Sequence, residues 1–464
     1  MKYKASMFNF VFDEGEELVL FNSMKGMWSA CRVRREDREQ VKNLLVEQKT
    51  GIEVSEKEEI PELLVERGFL VREDLNEKQQ REASYSRFVD ESANTLELII
   101  LPTEQCNYRC KYCYESFQKG KMTEELQEAV IKYIRKNISK YAGLRISWFG
   151  GEPLLALDVI EKISVKAMDI CKRARRTYRA DMTTNGYLLT LETFRKLLSW
   201  NVLSYQITVD GIKEIHDNKK PLANGAGTFD VVTGNLKRIK EEIKSSTFNI
   251  MIRSNVTSDA LVSMDEFTTF FHEMLGDDKR FSFFMRAAGD WGGNNRLDEM
   301  TQKRISEDQI GTVYQNFAKM GYQLSVAAYA RFYNPGGCMC YATMLQSFVI
   351  SSDGNVRKCT CELDDERYSI GRLLPDGNME LDNEKVNKWI GNTIRFSEKC
   401  DNCAFSPVCF GACCPRVNIY DRPEGSKADP RCPVEKEDIK ATFDLLESRE
   451  RFPYINERME AANE

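Results

Sequence analysis

The sequence predicts an α/β fold built on a parallel sheet, and three observations carry that reading. Between residues 95 and 286, six short strand-like runs alternate with stretches of helical periodicity, the order that gives right-handed crossovers. Glycine-bearing turns directly follow several of these runs, where parallel α/β folds keep their ligand sites. Of the 15 cysteines, three crowd into Cys106–Cys113 and ten lie between Cys338 and Cys432.

In chain order, residues 1–80 come first and hold no catalytic motif. Tyr3–Val11 alternates and Glu16–Asn22 follows a Glu14-Gly15 turn, which predicts a β-hairpin. Polar helices are expected at about Glu36–Gln48 and Pro61–Arg67, then a short apolar stretch at Gly68–Val71. This hairpin with helices resembles the winged-helix peptide-recognition element of maturases that act on ribosomally made peptides. The resemblance implies that residues 1–80 bind an extended leader peptide along a sheet edge. Asn76–Asp90 reads as a polar linker or exposed helix, and the linker is set at 81–94.

The six expected strands are Thr95–Leu101, Arg145–Phe149, Arg179–Thr184, Ser204–Val209, Phe248–Asn255 and Phe281–Arg286. Between them, Glu124–Ile138 places Leu126, Val130, Tyr133, Ile134 and Ile138 at helical spacing, with Thr123 as its N-cap. Leu191–Leu198 reads the same way. Asn294–Lys303, polar and following Gly292-Gly293, is expected to leave this region for the C-terminal one.

The cysteines decide the chemistry. Metal sites built on paired histidines are disfavoured, because His216 and His272 are the chain's two histidines. Clustered thiols in a reducing compartment point to metal rather than disulfides. Cys31 and Cys171 stand alone and read as buried thiols. Cys106-Asn-Tyr-Arg-Cys110-Lys-Tyr-Cys113 is C-x3-C-x2-C after a strand, three thiolates for a cluster that wants four. This spacing resembles the radical S-adenosylmethionine (SAM) superfamily, in which SAM chelates the open iron of a 4Fe–4S cluster. The resemblance implies a partial (βα)6 barrel, and it makes Cys106, Cys110 and Cys113 the ligands, with Tyr112 packing near the adenine.

Further turns resemble the same family. Gly150-Gly151-Glu152-Pro153 after the second strand looks like its GGE motif, where backbone carbonyls and the Glu receive the ammonium of SAM. Thr184-Asn185-Gly186 and Thr208-Val209-Asp210-Gly211 close the third and fourth strands; they are turn formers in any fold, and the resemblance adds Thr184, Asn185, Thr208 and Asp210 as cofactor contacts. Relatives often carry His-Asp-x-x-Arg next. Here the chain reads His216-Asp217-Asn218-Lys219-Lys220, so Lys220 keeps the charge near the SAM carboxylate but not the fork of an arginine. His216 reads as a structural histidine.

Cys340-x13-Gly354-x4-Cys359, then Cys400-x2-Cys403-x5-Cys409-x3-Cys413, then Cys432 resembles the seven-cysteine SPASM extension, with a hairpin turn at Ser352–Asn355. That resemblance implies two auxiliary 4Fe–4S clusters, three clusters in all. Cys400, Cys403, Cys409 and Cys432 would hold the outer one. Cys340, Cys359 and Cys413 would hold the inner one, its fourth ligand being Cys338, Cys361 or an open iron. Cys414 is spare.

The resulting division is 1–80 recognition element, 81–94 linker, 95–310 barrel, 311–440 SPASM and 441–464 tail. The net charge of −6 argues against a nucleic-acid partner, no apolar run of 18 residues occurs, and the N-terminus lacks a signal-peptide core. A cytoplasmic location is expected. The family resemblance implies an enzyme that abstracts hydrogen from a ribosomally made precursor peptide and forms thioether crosslinks. It also implies a flavodoxin or ferredoxin as electron donor. An anaerobic sulfatase-maturating enzyme, or a carbon–carbon crosslinking enzyme or epimerase, uses the same motifs.

Overall fold

The computed structural model describes residues 1–55, 58–276, 278–287, 332–361, 363–390, 398–411, 439–440, 443 and 452–457. Cys413, Cys414, Cys432 and Asn294–Lys303 lie outside them, as does most of the tail. The chain forms two compact units: residues 1–91, 326–340 and 392–464 make one, and 92–325 with 341–391 make the other.

The first unit contains two three-stranded sheets, β2-β3-β4 and β5-β1-β6. Its strands are β1 (Lys2–Ala5), β2 (Asn9–Asp13), β3 (Leu18–Asn22), β4 (Cys31–Val33), β5 (Ile52–Glu53) and β6 (Leu70–Arg72). The hairpin is β2–β3, closed by Asp13 opposite Leu18 with Gly15 at φ +84°. The alternating run Tyr3–Val11 is two strands, not one, and they belong to different sheets. Tertiary contacts break it at Ser6, whose N–H bonds Phe69 O at 2.9 Å and whose hydroxyl bonds Glu77 at 2.5 Å. The helix expected over Glu36–Gln48 is α1 (Arg35–Lys42), which widens into a π-helical turn at Asn43–Gln48; α2 (Glu59–Glu66) follows.

The stretch read as linker or exposed helix is the helix α3 (Glu77–Ser92), and it is not merely solvated. Arg81 is fully buried, with Nη1 donating to Cys400 O and Ser406 Oγ at 3.1 Å each and Nη2 3.0 Å from Asp401. One guanidinium thus clamps the Cys400–Cys409 loop. A buried charge is tolerable only with such a full set of partners.

The core under the hairpin joins Leu18, Leu20, Val33, Val41, Leu64 and Phe69 with a residue from the far end of the chain, Ile455. Arg32 N donates to Pro453 O at 2.9 Å and Ile455 N to Arg32 O at 2.8 Å, so the tail lies as a parallel bridge on the outer edge of β4. Ile455→Ala is expected to destabilise this unit by roughly 2–5 kcal/mol, the usual cost of emptying a packed isoleucine site. Urea denaturation followed by tryptophan fluorescence would check it; an unchanged midpoint would show that the tail is dispensable.

The second unit is built on a ten-stranded sheet in the order β12-β11-β10-β9-β8-β7-β13-β14-β15-β16. The six expected strands are β7 (Thr95–Ile100), β8 (Gly143–Trp148), β9 (Thr177–Thr184), β10 (Val202–Thr208), β11 (Asn249–Val256) and β12 (Phe281–Ala287), all parallel. Crossovers run through α4 (Glu124–Asn137), α5 (Leu157–Ala174), α6 (Leu191–Ser199), α7 (Lys213–Lys219), α8 (Phe229–Glu242), α9 (Ser258–Leu261) and α10 (Met264–Leu275). Thr123 caps α4 by accepting from Leu126 N. Side chains alternate along the strands. Leu96, Leu98 and Ile100 of β7 are fully buried, and each such side chain contributes about 2 kcal/mol. The opposite face holds Glu97, Arg145, Asp181, Gln206 and Arg253, half-buried or exposed.

Beyond β7 the sheet continues through β13 (Ser347–Ile350), parallel to β7, then β14 (Asn355–Arg357), β15 (Ser369–Leu373) and β16 (Met379–Leu381), antiparallel. The Ser352–Asn355 turn joins β13 to β14, with Gly354 at φ +84°. The segment expected to form a separate 311–440 extension is therefore divided, residues 341–391 completing the barrel sheet, because β13 satisfies the open backbone edge of β7. No helix among the described residues is long and apolar enough to cross a membrane.

Candidate active site

The three thiols Cys106, Cys110 and Cys113 lie on the loop that leaves β7, at the carboxyl end of the parallel sheet. Cys113 N donates to Cys110 O at 3.2 Å, and Tyr108 N points at Cys106 Sγ at 3.4 Å. Burial pushes the Cys106 and Cys113 thiols up to about 12, and the neighbouring cysteines add to the rise. Thiolates are stable here only beside positive charge, so the trio fits a metal cluster. Among the described residues, no three ligand side chains are close enough to share one ion. A polynuclear cluster spreads its thiolates over separate irons and does not require that.

The turn after β8 packs directly on this loop. Glu152 N donates to Gln105 O at 2.9 Å, and Gly151 N to Glu115 Oε2 at 2.6 Å. Gly150 and Gly151 have φ +87° and +40°, and a Cβ on Gly151 would stand 2.2 Å from Gln105 O. No side chain fits between the two loops. Pro153 opens the short turn Pro153–Ala156 that leads into α5.

Glu152 is fully buried, and its carboxylate is already engaged. Oε1 accepts from Leu154 N at 3.0 Å and Thr184 Oγ1 at 2.7 Å, and Oε2 accepts from Asn185 N at 2.8 Å. It ties the end of β8 to the end of β9, a positioning role the sequence reading did not contain. Asn185 in turn reaches Asn107 Oδ1 at 2.8 Å from its Nδ2, which also stands 3.9 Å from Cys106 Sγ.

On the other side, Tyr112 donates its hydroxyl to Asp210 and receives Lys220 Nζ at 3.2 Å and Asn255 Nδ2 at 3.3 Å. Asp210 Oδ1 accepts from Asn255 N at 2.8 Å. Burial opposes the Lys220 ammonium, but Cys110, Tyr112 and Asp210 around it keep it protonated. Its head lies 5.8 Å and 5.5 Å from the ring centroids of Tyr108 and Tyr112. Lys220 therefore meets the cysteine loop through Tyr112. Thr208 closes β10 opposite Arg253. Asn255 and Glu115 were missed by sequence reasoning. The available signals were position: Asn255 ends the fifth strand and Glu115 follows Cys113 by two residues.

His216 is a structural histidine. Asp210 N donates to its Nδ1 at 3.2 Å, its Nε2 faces Thr228 Oγ1 at 3.1 Å, and the Thr228 hydroxyl donates to Lys220 O at 2.8 Å. Burial lowers its pKa from 6.5 to about 4. The folded chain thus refuses a proton that the unfolded chain accepts, so stability is lost as pH falls from 6.5 towards 4, by up to about 3 kcal/mol. Thermal midpoints measured across that range are expected to fall less steeply in His216→Gln than in the wild type.

The described cysteines of the C-terminal group fall in both units. In the first, Cys338 N donates to Val408 O at 3.1 Å, and Cys338 and Cys403 each pack against the apolar cluster that contains Cys409. In the second, Cys361 N points at Cys359 Sγ at 3.4 Å, and the Tyr341 hydroxyl accepts from Thr360 N at 3.1 Å. Tyr114 lies within the electrostatic reach of Cys359, Cys361 and Tyr341.

Comparison with known proteins identifies the domain. Residues 100–268 match the model of the Radical SAM superfamily. This chain carries a radical SAM domain. It is similar to the cysteine-type anaerobic sulfatase-maturating enzyme of Clostridium perfringens (strain 13 / Type A), at 25% identity over 342 residues, 68% of this chain and 88% of the relative. The serine-type anaerobic sulfatase-maturating enzyme of Klebsiella pneumoniae is 20% identical over 330 residues, 68% of this chain and 80% of the relative. Among solved structures, native anSMEcpe with bound AdoMet superposes with a TM-score of 0.56 at 20% identity, covering 76% of this chain and 96% of that one. The radical SAM fold is shared, and the motifs above lie at the carboxyl ends of its parallel strands.

Proposed function

We propose that this radical SAM enzyme is a peptide maturase that joins cysteine sulfur to carbon in a ribosomally made precursor. The observation that carries the radical SAM part is the three-thiol loop locked onto the Gly150–Pro153 turn at the carboxyl ends of a parallel sheet. Cys106, Cys110 and Cys113 would hold a 4Fe–4S cluster, which with SAM supplies a 5′-deoxyadenosyl radical. The protein's own share is placement. Glu152 and Glu115 hold the turn, Asp210 and Asn255 hold Tyr112, and backbone groups of residues 150–153 are left to meet the ammonium.

The peptide part is supported by the small N-terminal sheets. Leader binding would add a strand to β2, β5 or β6, since the outer edge of β4 carries Tyr454. Thioether closure removes two hydrogens from the peptide: one leaves as an atom, the thiol gives up a proton, and one electron needs an acceptor. Thiolate-held iron–sulfur clusters suit that acceptor role. Cys400, Cys403, Cys409 and Cys432 are assigned to an outer cluster, and Cys340, Cys359 and Cys413 to an inner one with Cys338, Cys361 or an open iron. A flavodoxin or ferredoxin would supply the first electron, and the cytoplasm the setting.

A second reading, formylglycine formation in a sulfatase precursor, is favoured by likeness to the two sulfatase-maturating relatives. Anaerobic coexpression with each short open reading frame beside the gene separates the two. A loss of two hydrogens per bond, with cysteines that no longer alkylate, supports thioethers. Unchanged masses with loaded clusters would remove that reading and leave the sulfatase one.

A further inference from the structure

Arg253 sits in the middle of β11, opposite Thr208 on β10 and Phe284 on β12. Its neighbours Ile252 and Ser254 are buried on the helix-covered face, so Arg253 points to the other face, where it is half-buried. Its Nε is shut off from solvent without a hydrogen-bond partner. The acids of that face are taken: Arg145 bonds Asp181 at 2.8 Å and Glu97 at 3.4 Å. A guanidinium so placed costs stability unless an anion joins it.

Its level in the barrel says which anion. Two residues further along β11, Asn255 already bonds Tyr112 of the cluster loop. On β9, Thr184 pairs with Ile207, and the next residue, Asn185, reaches Asn107 of the same loop. Thr208, the residue after Ile207, pairs with Arg253, so Arg253 stands level with Asn185 and two residues short of Asn255 on its own strand. Lys220, the cation the sequence offered for a carboxylate, is committed to Tyr112.

Building on the radical SAM reading, we propose that Arg253 is the residue that receives the carboxylate of SAM, with Thr208 beside it. An arginine fork can grip both carboxylate oxygens, which a lysine at 220 cannot do. Lys220 then acts on the cluster loop alone.

The test is equilibrium binding of SAM and of decarboxylated SAM to anaerobically reconstituted protein, wild type, Arg253→Met, Arg253→Lys and Lys220→Met, each checked for iron content. Arg253→Met is expected to lose at least about tenfold in SAM affinity, the worth of one charge-assisted hydrogen bond, and to bind decarboxylated SAM as the wild type does. Arg253→Lys should recover part of the loss. Equal weakening toward both ligands, or SAM binding unchanged in Arg253→Met, overturns the assignment. A wild-type protein with full iron that binds neither ligand overturns the radical SAM reading and the assignment with it.

Discussion

Cys110→Ala is expected to abolish cleavage of SAM while leaving the fold in place. Cys110 is the middle thiol of the trio, on a loop whose path is held by other groups: Arg109 N bonds Pro221 O at 2.9 Å, and Lys111 N bonds Lys219 O at 3.0 Å. Those bonds do not involve the thiol. Removing it should cost on the order of 1 kcal/mol of stability, as an ordinary substitution does. Two thiolates cannot retain a cluster that needs three from the protein, so about four irons per chain are lost. Iron and sulfide analysis against the wild type gives the first readout, and 5′-deoxyadenosine formation under dithionite the second. Full iron content in the variant would mean that Cys110 is not a ligand.

Gly151→Ala is the second large effect, and it acts without touching a ligand. The new Cβ would stand 2.2 Å from Gln105 O and 2.7 Å from Gln105 C, both backbone atoms that no rotamer change can move. The φ of +40° is itself strained for alanine. The turn must lift off the cluster loop, breaking the Glu152 N to Gln105 O bond of 2.9 Å. Misplacement of about 1 Å in a binding site typically costs on the order of a hundredfold, and SAM affinity should fall by that much. Iron content should stay near wild type, because the cysteine loop is not altered. Wild-type SAM binding by Gly151→Ala would show that the turn does not face the cofactor.

Much of this was legible in the sequence because the signals are local. The six strands fall within two residues of their expected starts and ends, since a buried face imposes period-two alternation and each crossover announces its own helix. Thr123 was readable as a cap from its position before Glu124-Glu125 and the apolar periodicity. His216 was readable as structural by residue type and setting, and its two ring nitrogens do end on a backbone N–H and a threonine.

Other features had no local signal. The alternation in Tyr3–Val11 carries no mark of the break at Ser6, because Glu77 and Phe69, which impose it, lie more than 60 residues away. Ile455 reads as part of a charged tail until the β4 edge gives it a pocket. Glu152 and Lys220 show the same limit at the site. Their types and spacing marked them as charges near a cofactor, but which atoms they face depends on the ends of β9, β10 and β11 meeting around the cysteine loop. By itself the sequence determined the order of strands, the cysteine trio and the turns beside it. Only the tertiary structure decided who partners whom, because a buried charge settles on the nearest groups that solvate it, and those groups are neighbours in space rather than in the chain.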